Sequence, residues 1–174
     1  MPDLAVDEVR RGIAYHEAGH AVVGTRLGLE LLGSDIVPDG AGGRGHTRFA
    51  KPWPGFTPRA GHLTAADRDV VARFAVTFMA GFAAEARLGK ASDAGSGYDE
   101  RDVVETWIAL LADAPAERRD LAASYLARAA AMLAEPSEWQ AVVDLAERLL
   151  EVRSMDGEEV RGLIGGGGDP LPPR

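Results

Sequence analysis

The chain contains no cysteine among its 174 residues. This absence excludes a disulfide framework, a catalytic thiol and thiolate ligation of a metal ion. Histidine is also scarce, with four copies. Any metal site therefore has to be built from a few imidazoles together with Asp or Glu carboxylates.

An excess of positive charge is also missing. The sequence has 19 Lys and Arg residues against 27 Asp and Glu residues, which gives a net charge of −8. Binding to nucleic acid, or to anionic lipid through a polybasic patch, depends on clustered positive charge. We therefore expect no nucleic-acid partner.

No apolar run is long enough to predict a membrane span. The most apolar stretch, residues 70–84, is interrupted by Arg73 and falls short of the roughly 18–20 residues that a spanning helix needs. The acidic residues Asp3, Asp7 and Glu8 also differ from the basic start of a secretory signal. These features predict a protein without membrane insertion and with a cytoplasmic location.

The length predicts one domain with its own core, spanning residues 1–164. Residues 165–174 are rich in Gly and Pro, and we expect this tail to be disordered because it cannot bury an apolar face. The domain itself is expected to be mainly α, with a small β-hairpin or edge strand pair near residues 34–50.

The first predicted helix has Asp7 as its N-cap and ends near Gly28, because apolar residues and both early histidines recur along one face. Short strands are predicted at residues 34–37 and 45–50. Thr64 and Asp67 resemble a capping box that opens a long apolar helix, which Gly89 can close. Later helices are predicted from Tyr98 or Asp99 to about Leu111, from Pro115 to about Leu133, from Pro136 to about Val152, and briefly after Asp156, with Glu159 completing its cap.

The most informative segment reads HEAGH and contains His16, Glu17 and His20. Histidines four residues apart project from the same face of a helix and can bind one zinc ion. The glutamate beside the first histidine can then take a proton from the attacking water. The pattern predicts a zinc hydrolase site in which Glu17 is the general base.

A catalytic zinc site has three protein ligands and an open position. The extended HExxHxxGxxH pattern is absent, because Val23 and Arg26 occupy the positions of its glycine and its last histidine. Spacing alone leaves the third ligand open among a glutamate or aspartate of a later helix and His46.

Four segments together resemble the peptidase domain of the FtsH-type ATP-dependent zinc metalloproteases. The first, residues 14–24, is close to that family's A-x-H-E-A-G-H-A motif. Residues 79–85 are similar to its G-R-A-A-E segment, with Phe82 replacing the usual Arg. Residues 95–99 resemble its zinc-binding Asp loop, and residues 155–160 resemble its terminal L-D-G-E-E-V motif.

The resemblance implies that His16, His20 and Asp99 bind Zn²⁺ and that Glu17 is the catalytic base. It also implies that Glu85 hydrogen-bonds a ligand histidine and so fixes its orientation. The Asp loop differs from the family pattern in length and in the residue before Asp99, so that Asp102, one helical turn later, is the fallback ligand.

The implied activity is that of a zinc metalloendopeptidase acting on a protein or peptide. The sequence has no counterpart of the family's AAA+ module or membrane anchors, which suggests a free-standing peptidase unit. A homo-oligomer and a separate ATPase partner both stay open. The alternative is a non-catalytic, zinc-stabilised binding or regulatory module of the same fold, and a metal-free helical scaffold is a third interpretation.

Overall fold

A computed structural model describes residues 3–38, 45–89 and 100–165. It is mainly helical with a small antiparallel three-stranded sheet, which confirms the fold class expected from the sequence. The helices are α1 (Asp3–Arg26), α2 (Ala65–Arg87), α3 (Glu100–Thr106), α4 (Pro115–Ala134), α5 (Pro136–Val152) and α6 (Gly157–Ile164). The strands are β1 (Leu31–Asp35), β2 (His46–Phe49) and β3 (Ser154–Asp156), and a 3-10 turn (Ile108–Leu110) follows α3.

Local capping signals fix the starts of four helices as predicted. Before α2, the Thr64 side chain accepts a hydrogen bond from the Asp67 main chain at 3.1 Å, and the Asp67 carboxylate accepts one from the Thr64 main chain at 2.9 Å. Asp156 and Glu159 form the same reciprocal cap before α6. Helices α4 and α5 each begin at a proline, whose missing N–H costs nothing at that position.

Two helix boundaries differ from the prediction. Helix α1 begins at Asp3 rather than after Asp7. Helix α3 ends at Thr106 instead of continuing to Leu111. Beyond it, Trp107 stacks on Phe74 with ring centroids 4.7 Å apart, and the chain continues as a 3-10 turn.

The sheet has the order β2-β1-β3, and both pairs are antiparallel. The predicted strand pair therefore exists, but β1 runs over residues 31–35 rather than 34–37 and β2 over 46–49 rather than 45–50. Strand β3 was not predicted. Within the described residues, β2 pairs on one side only, which leaves it as an edge strand.

Helices α1 and α2 approach each other closely because small residues lie between them. A Cβ atom added at Gly19 would lie 2.6 Å from the main-chain oxygen of Ala80, a distance that no real side chain tolerates. Gly19 lies between His16 and His20 in sequence. The face of α1 that carries both histidines is therefore packed against α2.

The main core is formed by residues of all six helices, of β1 and β3 and of the 3-10 turn. Its largest fully buried side chains include Leu31, Met79, Ile108, Leu133, Leu145 and Leu149. None of the helices in the described ranges combines the length and the apolar character needed to cross a membrane. Residues 166–174 of the tail lie outside the described residues.

Candidate metal centre

The HEAGH segment is buried in the middle of α1. The exposed fractions are 1% for His16, 4% for Glu17 and 6% for His20. All three line one cavity of about 210 Å³, which is walled by α2 and by the start of β2. The helix thus brings two imidazoles and a carboxylate to the same small space, as the spacing of the motif requires.

His16 is backed by a carboxylate from α2. Its Nδ1 lies 3.3 Å from Oε1 of Glu85, and Glu85 is fully buried. A carboxylate facing Nδ1 favours the tautomer with the proton on that nitrogen, which leaves the Nε2 lone pair for a metal ion. The structure therefore places Glu85 beside a histidine of the motif, but this contact does not have the geometry of the hydrogen bond that the resemblance implies.

His20 is fixed by the backbone of α2. Its Nδ1 lies 2.9 Å from the main-chain oxygen of Thr77. Because a carbonyl oxygen can only accept, Nδ1 has to be the donor, and Nε2 again keeps its lone pair. The two ring planes are nearly perpendicular, at 86°, with centroids 4.4 Å apart.

Gly81 makes room for both imidazoles. A Cβ atom at this position would lie 2.6 Å from Nε2 of His16 and 2.5 Å from Cε1 of His20. On the same face of α2, the rings of Phe78 and Phe82 lie edge-on to His20 and His16, at 5.6 and 5.2 Å. The histidine pair is thus enclosed by a glycine and two phenyl rings.

Burial keeps both histidines neutral. In the metal-free chain, desolvation lowers the pKa of His16 to about 4. Desolvation also lowers the pKa of His20 well below its usual value, and the neighbouring His16 adds to this effect more than the Thr77 carbonyl opposes it. Neutral imidazole is the form that binds a metal ion. The two tautomers, the neutral rings and the space at Gly81 fit the requirements of Zn²⁺.

Glu17 is held by the neighbouring strand. The hydroxyl of Thr47 on β2 donates a hydrogen bond to its Oε2 at 2.8 Å. Burial raises the pKa of Glu17 to about 8, an effect that the Thr47 hydrogen bond reduces and the charges of Asp35 and Glu85 increase. Burial therefore makes the Glu17 carboxylate a better proton acceptor than an exposed one.

The start of β2 forms the other wall of the cavity, through residues 45–48. His46 is 43% exposed and its Nδ1 lies 3.7 Å from Oδ1 of Asp35, while Arg48 donates a 2.6 Å hydrogen bond to Oδ2 of the same carboxylate. His46 is thus at the rim of the cavity, on β2, which is one of the two edge strands among the described residues. His62 is exposed in the loop before α2, where it lines a separate cavity.

No candidate for a third metal ligand lies among the groups described above. Asp99 lies outside the described residues, and Asp102 is an exposed residue of α3. Across residues 3–38, 45–89 and 100–165, no three His, Asp or Glu side chains form a group that could hold a metal ion. The structure thus brings together His16, Glu17, His20 and Glu85, and it describes no third ligand.

The sequence did not reveal the contacts made by Thr47, Thr77 and Gly81. Thr77 acts through its backbone oxygen, which carries no sequence signal. Gly81 lies in the 79–85 segment that resembles the protease family, so that its presence there could have indicated a close approach. The only sequence signal at Thr47 is its position in a predicted strand, and no local pattern links it to Glu17.

Comparison with known proteins does not add a family assignment. Neither the models of known protein families nor the curated protein sequences give a significant match to this chain. The functional interpretation consequently depends on the site itself and on the resemblance of its four segments.

Proposed function

We propose that this protein is a zinc metalloendopeptidase in which His16 and His20 hold the metal ion and Glu17 is the general base. The observation that carries the proposal is the shared cavity of two neutral, oriented imidazoles and one buried carboxylate. Buried histidines that served packing alone would also need a partner for Nδ1. What supports a metal site is that both imidazoles border the same cavity as a buried carboxylate and that Gly81 leaves space beside both rings.

Zn²⁺ would be held by Nε2 of both histidines and, by the resemblance, by Asp99. When bound, it would polarise the scissile carbonyl and lower the pKa of the attacking water. The Thr77 carbonyl keeps the proton of His20 on Nδ1, and the Glu85 carboxyl group beside Nδ1 of His16 would favour the same tautomer there. Glu17 would accept a proton from the water and deliver it to the leaving amine, a role for which its raised pKa is suitable.

The substrate we propose is an unfolded or extended polypeptide. Residues 45–48, at the start of the edge strand β2, line the same cavity as Glu17. An extended peptide could add to that edge through backbone hydrogen bonds, which bind many sequences without strict side-chain requirements. Location in the cytoplasm, self-association and a separate ATPase partner stay predictions of the sequence.

The test is cleavage of unfolded casein by the zinc-loaded protein, with and without a chelator. We expect cleavage that the chelator stops and added zinc restores. Glu17→Gln should keep its zinc and lose at least about a hundred-fold in kcat/KM, since general acid–base catalysis supplies about 10²–10⁴-fold. Glu30→Gln is the control, because Glu30 is exposed.

An active Glu17→Gln variant would remove Glu17 from the mechanism. A wild-type protein that binds zinc but cleaves nothing would favour the alternative, a zinc-stabilised binding or regulatory module. A protein that binds no zinc would favour the helical scaffold.

A further inference from the structure

Thr47 makes more polar contacts at the candidate site than its single hydroxyl proton can serve. Its Oγ1 lies 2.8 Å from Oε2 of Glu17, 3.0 Å from the main-chain oxygen of Glu17 and 3.0 Å from Oγ of Ser34. The main-chain oxygen can only accept, and so can Oε2 when Glu17 is ionised, the form that acts as a base, so the Thr47 proton is then shared between them. Ser34 is then the group that donates to Thr47.

The sheet register creates this arrangement. Ser34 on β1 lies directly opposite Thr47 on β2, and Ser34 is fully buried. Cross-strand neighbours on one face have Cβ atoms about 4.5–5.5 Å apart, within reach of a hydroxyl–hydroxyl bond. The pairing of the two strands therefore aims the Thr47 hydroxyl at α1.

The same segment also confines the aliphatic part of Glu17. A Cβ atom added at Gly45, the residue before β2, would lie 2.9 Å from Cγ of Glu17 and 2.8 Å from a methyl group of Ile13. The Glu17 side chain is therefore packed at its stem by Gly45 and bonded at its end by Thr47. Gly45 and Thr47 together restrict both the position and the rotation of the Glu17 side chain.

We propose that Thr47 is a positioning residue for the base: its hydroxyl, supported by Ser34, holds Oε2 of Glu17 so that Oε1 is the oxygen that takes the proton. This inference rests on the proposed function. It assigns β2 a second role, because the strand that borders the cavity also orients the carboxylate. A fixed base loses less entropy when it reaches the reactive geometry, which is the usual benefit of such a contact.

A purely structural role for Thr47 is the competing interpretation, since its hydroxyl also contacts a main-chain oxygen of α1. Thr47→Val has almost the same shape as threonine and no hydroxyl, and Thr47→Ser keeps the hydroxyl. Thr25→Val is the matched control, because Thr25 is also a buried threonine. Its Oγ1 has no hydrogen-bond partner among the residues that the structure describes.

In casein cleavage we expect Thr47→Val to lower kcat at least ten-fold with KM and zinc content unchanged. Thr47→Ser should restore kcat to within about three-fold of the wild-type value, and Thr25→Val should leave it unchanged. A purely structural role would reduce zinc content or stability in proportion to activity. Equal kcat values for Thr47→Val and the wild type would overturn the proposal.

A second experiment tests the contact between Thr47 and Glu17 without measuring cleavage. Urea unfolding of the metal-free protein is measured for Thr47→Val, for Glu17→Met and for the double variant, since methionine fills the space of glutamate without a hydrogen bond. We expect the shifts in the unfolding midpoint to be clearly non-additive, because each single change removes the same bond. Additive shifts would overturn the proposed contact.

The two experiments separate the two claims. If the wild-type protein cleaves no substrate, the proposed function fails, and the unfolding measurements alone decide whether Thr47 holds Glu17. If the wild type cleaves but Thr47→Val is equally active or the shifts are additive, the proposed function stands and the role of Thr47 is overturned.

Discussion

Nδ1 of His16 lies 3.3 Å from Oε1 of Glu85, and both side chains are inaccessible to solvent. The contact joins α1 to α2 and faces the side of the imidazole that is turned away from Nε2. A carboxylate in this position orients a ligand histidine and makes it a better electron donor. In the proposed site Glu85 would orient His16 without binding the metal, so replacing Glu85 should weaken metal binding.

Replacing Glu85 by Gln tests this role. The amide has nearly the same size but no charge, so we expect the fold to persist and the affinity for zinc to fall about ten- to a hundred-fold. Competition with a chromogenic chelator measures the change, with the exposed Glu30→Gln as the control. An unchanged affinity for Glu85→Gln would show that Glu85 is only a packed helix residue.

Gly81 should be essential for the same site for steric reasons. Alanine at this position would place its Cβ 2.5–2.6 Å from atoms of both imidazoles, so at least one ring has to move. We expect Gly81→Ala to lower zinc content to less than a tenth of the wild-type value.

The matched control for Gly81→Ala is Gly162→Ala. Gly162 is also a helical glycine, but a Cβ atom there would meet nothing within 4 Å. Alanine is favoured over glycine in a helix by about 1 kcal/mol, so Gly162→Ala should keep zinc and slightly raise the melting temperature. Normal zinc content in Gly81→Ala would contradict the described ring positions.

Asp99 is the third ligand that the resemblance implies. Asp99→Ala should lose most of the zinc affinity, because two imidazoles alone do not complete a catalytic zinc site. Asp102→Ala should keep it. Elemental analysis after dialysis against trace zinc measures both variants. Loss of zinc in Asp102→Ala instead of Asp99→Ala would transfer the role to Asp102.

The metal-free protein should be most stable near pH 6.5. Burial lowers the pKa of His16 to about 4, and that of His20 is also lowered. Below pH 6.5 the unfolded chain therefore binds more protons at these two residues than the folded chain, and stability falls with falling pH. The raised pKa of Glu17 has the opposite effect on stability. Above pH 6.5 it is the only one of the three effects that remains.

Burial raises the pKa of Glu17 to about 8 in the folded chain, from 4.5 as its ordinary value. Between pH 6.5 and 8 the folded chain keeps a proton that the unfolded chain has lost, so the free energy of unfolding decreases with rising pH. The decrease is at most about 1.4 kcal/mol per pH unit. Thermal unfolding of Glu17→Gln should lack it, and an identical pH profile for variant and wild type would refute the raised pKa.

The parts of the fold that could be predicted from the sequence are those with local causes. Thr64 and Asp67 cap α2 through bonds within four residues of chain, and a proline marks the first turn of α4 and of α5. Strand β3 has three residues, one of them buried, which is too short for an alternating pattern. It exists because it pairs with β1, more than a hundred residues earlier.

The candidate site divides in the same way. His16, Glu17 and His20 are recognised from their spacing because all three belong to one helix. The contact of Thr47 with Glu17 depends on the register of β2 against β1, and that of His20 with Thr77 depends on the close packing of α1 on α2. Such contacts follow from tertiary structure, which no short motif encodes.

X-ray absorption at the zinc edge of the zinc-loaded protein tests the central claim most directly. The account predicts one zinc ion per chain with two imidazole nitrogens at about 2.0–2.1 Å and oxygen atoms as its remaining ligands. The imidazole signal should be lost when His16 and His20 are both replaced by Gln. A spectrum with fewer than two imidazoles, or one that the double replacement leaves unchanged, would contradict it.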